Sequence, residues 1–226
     1  MAGLIAATWL PLFVLLFFGL MTVQGLDQAR FGDPDHVLGF FMAHPALIRL
    51  TGLVNITGLL AASLFALLLA DRLMTVAPGM ATLGGFLAIS GWTLILVAET
   101  LDLGAYVGLP AMHTRDPAAA ALAFITLQAA GRMTRTWGYL LVALGIGALG
   151  RGMRRMPGWP RGLGILGLSG AGVGILMFGF EYVLVTQTGD PGGGLAGPFA
   201  VLFILLGAAV TVWHAWGGIQ FLKAKD

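Results

Sequence analysis

Six stretches of the chain stay apolar for the length of a bilayer crossing, at residues 4–23, 50–70, 81–101, 123–149, 162–185 and 198–220. A spanning helix needs about 20 such residues. The segments between them hold most of the lysine, arginine and aspartate. The pattern predicts an all-α polytopic membrane protein, a single integral membrane domain over residues 1–226 with six transmembrane helices. The first run has no basic leader and exceeds the ~7–15 apolar residues of a secretory signal, so it is read as a retained helix. The longest connection, 24–49, is too long for a tight turn and is expected to lie along the interface or cap the bundle. The Gly-Asp-Pro-Gly-Gly-Gly stretch at 189–194 reads as a flexible turn.

Composition sharpens this picture. Hydrophobic residues make up 58% of the chain and charged ones 10%, with 35 glycines and a mean hydropathy of +0.91. Soluble domains carry about a quarter charged residues, so this chain has too few to cover a water-facing surface. Cysteine is absent, which removes disulfides, zinc thiolates, iron–sulfur clusters and thiol catalysis. A net charge of +2 is too small to point to nucleic acid. The expected partners are membrane lipids and other membrane protein subunits.

The few basic residues are unevenly placed, and their bias toward cytoplasmic loops sets an orientation. With the amino terminus inside, the inner segments hold Arg72, Arg151, Arg154, Arg155, Arg161, Lys223 and Lys225, against Arg30, Arg49 and Arg115 outside. The outer segments are also acidic, through Asp27, Asp33, Asp35, Asp116 and Asp190. Both termini are therefore expected in the cytoplasm, with the protein in a bacterial inner membrane.

Shifting the chain by 79 positions lays runs two and three over runs four and five. Thr57 then meets Thr136, Arg72 meets Arg151, Pro78-Gly79 meets Pro157-Gly158, Ser90-Gly91 meets Ser169-Gly170, and Asp102 meets Glu181. The offset covers two helices, so the halves would share orientation, as a parallel repeat about an axis along the membrane normal.

Ionisable groups inside spans are costly and usually face the bundle interior or a wet cavity. Glu99 and Asp102 end the third run three residues apart, on one helix face. Gln128, Arg132 and Arg135 form a stripe on the fourth run, Asn55 enters on the second, and Glu181 and Tyr182 lie near the end of the fifth. Together these eight residues are the candidate lining of an outward-facing pocket for an anionic headgroup, a quinone or a proton path. The competing expectation is a structural ion-pair network at the interface.

No catalytic constellation is found. His36, His44 and His113 are candidate metal ligands, but none has a close ligand spacing, so solvent-exposed loop histidines are the better expectation. His214, between Trp213 and Trp216, has no second histidine at matching depth to hold a haem, and is expected in an interfacial aromatic belt. No cofactor is expected. The glycine-rich stretches 145–150 and 162–174 read as surfaces for close helix contact.

The segment Trp137-Gly138-Tyr139-Leu140 through Leu144-Gly145, then Pro160-Arg161-Gly162-Leu163-Gly164 and Ser169-Gly170-Ala171-Gly172, resembles a bacterial membrane family catalogued as domain of unknown function 4386. Ala98-Glu99-Thr100-Leu101 is similar to the acidic residue ending that family's third helix. The resemblance implies a bundle of six or seven helices and no assigned activity. Gln128 and Arg132 depart from the acidic or histidine-bearing fourth helix it would lead one to expect.

The functional expectation is a non-enzymatic accessory or scaffolding subunit of a larger membrane complex, with lipid or another amphipathic ligand in the outer polar pocket. A small transporter or proton-coupled carrier is the alternative, and a membrane redox subunit or enzyme the third. The topology is directly testable. Cysteines introduced at Thr75 and Arg154 should react only from the cytoplasm and one at Asp190 only from outside. Labelling at position 154 from outside intact cells would overturn the assignment.

Overall fold

Proline decides where most of the helices begin. The ring fixes φ near its helical value and lacks the N–H that a first helical residue could not use. The computed structural model describes residues 1–27, 30, 32–187 and 196–223, without the side chains of 184–187 and 196–203. In it α2 (Pro34–Ala43), α3 (Pro45–Leu73), α4 (Pro78–His113) and α5 (Pro117–Met153) all open on proline. Asp33 caps α2 by accepting from the backbone N–H groups of Asp35 and His36, and Asp116 caps α5 by accepting from that of Ala119. The remaining helices are α1 (Ala2–Val23), α6 (Arg161–Gln187) and α7 (Ala196–Lys223).

Five of the six long helices are apolar and long enough to cross a membrane: α1, α3, α4, α6 and α7. The sixth expected span corresponds to α5, which is 37 residues long but is not among those five. Gln128, Arg132 and Arg135 interrupt its centre. The helices also outrun the apolar stretches. At ~1.5 Å per residue, α4 and α5 are each roughly 55 Å long, well beyond a ~30 Å hydrocarbon core. The expected turn at 189–194 lies outside the described residues.

The six long helices form a ring. Each packs on the next along the chain, α1 on α3 and so on to α7, and α1 closes the circle against α7. Short α2, in the long connection after α1, lies across the far ends of α4 and α5. It buries Val37, Leu38, Phe40 and Phe41 in an apolar cluster with Met21, Leu26, Ile48, Ala120 and Phe124. The connection is thus a cap on the bundle, one of the two placements the sequence allowed. Gly25, at φ +105°, turns the chain out of α1 toward this cap. There Leu26 N–H donates to Met21 O and Gly25 N–H to Thr22 O, a glycine-closed helix end in which the side chains of Met21 and Leu26 are also both buried.

The tightest seam joins α4 and α5, and its code is a small residue at every seventh position. Gly84, Gly91 and Ala98 on α4 face Gly145, Gly138 and Gly131 on the antiparallel α5. A Cβ placed on Gly91 would lie 2.5 Å from Val142 N, and one on Gly145 would lie 2.4 Å from Ala88 N. A seven-residue period keeps one stripe facing the partner in a left-handed crossing, and small residues let backbones touch where burying apolar surface gives no advantage over lipid.

Gly91→Leu should therefore lower stability in detergent by about 1–3 kcal/mol through overpacking against backbone. Gly104→Ala, on the same helix with nothing near its Cβ position, should be neutral or stabilising by up to ~1 kcal/mol. Thermal unfolding of the two variants side by side checks this. Equal behaviour would mean the seam is not in contact.

Candidate functional site

Inside the ring, nearer the α2 end, polar residues of five helices converge. On α5 the stripe 128, 132, 135 continues to Tyr139. Positions three apart on a helix diverge by roughly 60°, so Arg132 and Arg135 reach opposite flanks. Arg135 turns to α4, where its Nε donates to Glu99 Oε1 at 2.8 Å and its terminal nitrogen to Asp102 Oδ2. Arg132 turns to α6 and approaches Glu181 Oε1 at 3.4 Å. Asn55 of α3 donates to Glu99 Oε2 at 2.6 Å and accepts from Trp9 Nε1 of α1 at 2.9 Å. Gln128 donates to the Tyr106 hydroxyl at 2.8 Å.

Burial makes this arrangement consequential. Asp102 and Glu181 are 4% and 5% exposed, and charges removed from water to that degree must be paired or bonded. Gly131 makes the Asp102 position available, because a Cβ there would lie 2.8 Å from Asp102 Oδ1. Asp102 Oδ1 and Glu181 Oε2 have no hydrogen-bond partner among the described residues.

The cluster borders a half-open cavity of about 260 Å³ lined by Asn55, Glu99, Asp102, Gln128, Arg135, Glu181, Tyr106 and Tyr139 together with aromatic and aliphatic residues. Half-exposed Phe18 stands at its rim on α1. Phe17 and Phe18 belong to a π-helical stretch, Leu15–Leu20, a local widening often found where helices carry function. Below it lies a second chamber of about 90 Å³, almost wholly apolar, walled by Trp92, Ile146, Leu206 and Val210. Phe13, Asn55, Glu99, Tyr139 and Met177 line both chambers. Farther along the ring interior, Phe65 packs edge-on to Trp213 with ring centres 5.2 Å apart and lies 5.1 Å from the ring of His214.

Six of the eight residues singled out from sequence line the cavity, and Arg132 joins them through Glu181. Tyr182 does not. It is 44% exposed and stacks on Phe178 at 5.8 Å. His214 is corrected from interfacial belt to core: it is fully buried, and its Nδ1 bonds its own helix through Val210 O at 2.7 Å, which satisfies one ring nitrogen without a partner helix. The three other histidines have separate roles. His36 Nε2 accepts from Asp27 N–H, His113 Nε2 pairs with Asp35 at 2.8 Å, and His44 ends α2 with its ring 4.5 Å from Phe40. Among the described residues no three potential ligands form a metal-binding group.

Tyr106, Tyr139 and Trp9 were not singled out from sequence. Each tyrosine stands four residues beyond a charged group already identified, Tyr106 after Asp102 and Tyr139 after Arg135, so the helical period carried the signal. Nothing comparable marked Trp9. No family model, curated protein or solved structure matches the chain.

Removing one partner of a desolvated pair strands the other, typically at ~3–5 kcal/mol, whereas exposed pairs contribute ~0–1 kcal/mol. Arg135→Ala, which strands two carboxylates, should destabilise the detergent-solubilised protein most. Arg132→Ala should come next, since its single contact is longer and more exposed, and Arg115→Ala should be near wild type. A melting series that ranks Arg135 with Arg115 would mean the cluster is not desolvated.

Proposed function

We propose that this chain is a non-enzymatic six-span protein of a bacterial inner membrane, with both termini cytoplasmic, that serves as an accessory or scaffolding subunit and holds a lipid or other amphipathic molecule in its outer pocket. The two joined chambers carry this reading. A polar chamber lined by carboxylates and a guanidinium leads into an apolar one, which suits a ligand with a polar head and an apolar part. Their joint volume falls near the lower end of the ~300–1,000 Å³ common for small-molecule sites. Glu99, Asp102, Arg135 and Glu181 would orient the head, and Phe13, Trp92, Ile146 and Met177 would hold the apolar part.

Counting α5 as the sixth span is supported by its place in the ring between α4 and α6, where its two guanidiniums meet three carboxylates. The duplication of α3–α4 in α5–α6 is supported by Asp102 and Glu181 facing one α5 stripe from either flank. The basic residues at the end opposite α2 support the orientation. Resemblance to domain of unknown function 4386 adds a bundle of similar size and no activity. A second reading, a small proton-coupled carrier, draws on Asp102 Oδ1 and Glu181 Oε2, buried oxygens with no partner among the described residues and able to take a proton or a cation.

Purification in mild detergent followed by intact-mass measurement separates these. The first reading expects a small amphipathic molecule retained on the wild-type chain, alone or with partner subunits. It should be lost from Met177→Trp, which fills the junction of the chambers, in a variant that melts near wild type. A ligand-free wild-type chain, or a Met177→Trp protein that keeps its ligand, would overturn it. A ligand-free chain whose melting responds to pH through Glu181→Gln would favour the carrier.

A further inference from the structure

The end of the bundle opposite α2 has a charge arrangement unlike the one above. Arg151 sits in the last turn of α5, Arg154 and Arg155 follow it, and Arg161 is the first residue of α6. Among the described residues, these four arginines alone line an open cleft of about 480 Å³. All four are exposed, and none has a side-chain hydrogen bond or ion pair with a described residue.

Their convergence is built by the loop beneath them. Met153 and Met156 are buried under it, Trp159 packs edge-on against Phe221 of α7 at 5.5 Å, and Gly158 at φ +75° turns the chain back. The stem of Arg154 lies across α6 where it has no side chain, since a Cβ on Gly164 would stand 2.5 Å from Arg154 Cγ. Arg161 opens α6, so the amino-terminal end of that helix adds positive potential on the same side. Four like charges around one concavity repel one another unless something neutralises them.

From these observations we propose that the arginine cleft binds a phosphate-bearing anion carrying at least two negative charges. Guanidinium forks match phosphate oxygens in pairs, and helix amides add to them. The cleft adjoins the end of a membrane-crossing stretch, Arg161–Val183, where lipid phosphates lie. An acidic lipid headgroup and a soluble polyphosphate share the required chemistry. The site is separate from the pocket at the α2 end and does not depend on what that pocket holds.

The test uses the full chain in nanodiscs of phosphatidylcholine. One arm adds cardiolipin to the discs, and the other titrates inorganic pyrophosphate into neutral discs, with the unfolding midpoint as the readout and intact mass counting retained lipid. At least one anion should raise the wild-type midpoint. Its affinity should fall about tenfold or more in Arg154→Gln/Arg155→Gln and stay unchanged in Arg72→Gln, an exposed arginine outside the cleft. A response in the cardiolipin arm alone assigns the headgroup, one in the pyrophosphate arm alone assigns a soluble anion, and both together assign the shared phosphate chemistry. If the double variant does not fold, Arg155→Gln alone should show a smaller loss in the same direction. A wild-type midpoint indifferent to both anions, or an equal loss in Arg72→Gln, would overturn the proposal.

Discussion

A guanidinium enclosed by apolar helices has to be neutralised where it stands, and much of this ring can be traced from that constraint at Arg135. Two carboxylates of α4 meet it, Glu99 at 2.8 Å and Asp102 beside it. Both must come close to the α5 backbone to do so. The Gly131, Gly138, Gly145 row permits that approach, and the matching Gly84, Gly91, Ala98 row removes the obstacle from α4. Neutralising the guanidinium leaves Glu99 with a second oxygen, which Asn55 fills from α3. Asn55 in turn fixes Trp9 of α1. The chain of hydrogen bonds therefore runs across four helices, and changing its first member exposes every later one to an unmet polar group.

The cavity follows from the same geometry. Helices that touch along glycine seams spend their small residues on contacts, so the ring interior is left to long side chains pinned at their polar ends. Trp9 is seated directly on Gly58, where a Cβ would overlap its ring. Tyr139 and Met177 flank the space between the chambers without filling it. Below the apolar chamber the aromatic cluster of Phe65, Trp213 and His214 closes the interior. A void between a satisfied ion network and an aromatic floor is hard to collapse, because both walls are held by bonds and stacking.

Much of this was legible in the sequence because a membrane chain has few polar residues to place. The apolar runs located six long helices, the stripe on the fourth run gave both guanidiniums, and the ends of the third and fifth runs gave the carboxylates that meet them. The boundaries were less legible. Hydropathy alone ended the third run at 101, whereas α4 continues to His113, since its last three turns are held by the α2 cap rather than by lipid. Prolines 45, 78 and 117 marked the true starts, several residues ahead of the apolar runs. Tyr182 was misplaced because adjacency to Glu181 puts it about 100° away on the helix. His214 was misplaced because the aromatic residues beside it suggested an interface, while a bond to Val210 O, four residues back, lets the ring be buried.

The two ends of the molecule use arginine in opposite ways, and residue counts along the sequence cannot distinguish them. At the α2 end Arg132 and Arg135 are drawn into the ring, and their fields are cancelled within a few ångströms by Glu181, Glu99 and Asp102. At the other end Arg151, Arg154, Arg155 and Arg161 face solvent with no carboxylate among the described residues to oppose them. Cancelled charge in a low-dielectric interior fixes structure, because each partner would be costly alone. Uncancelled charge at a membrane surface fixes little structure, but it projects a field over roughly a Debye length, about 8 Å at physiological salt. The orientation bias read from the basic residues therefore comes from the uncancelled set, and the shape of the interior comes from the cancelled one.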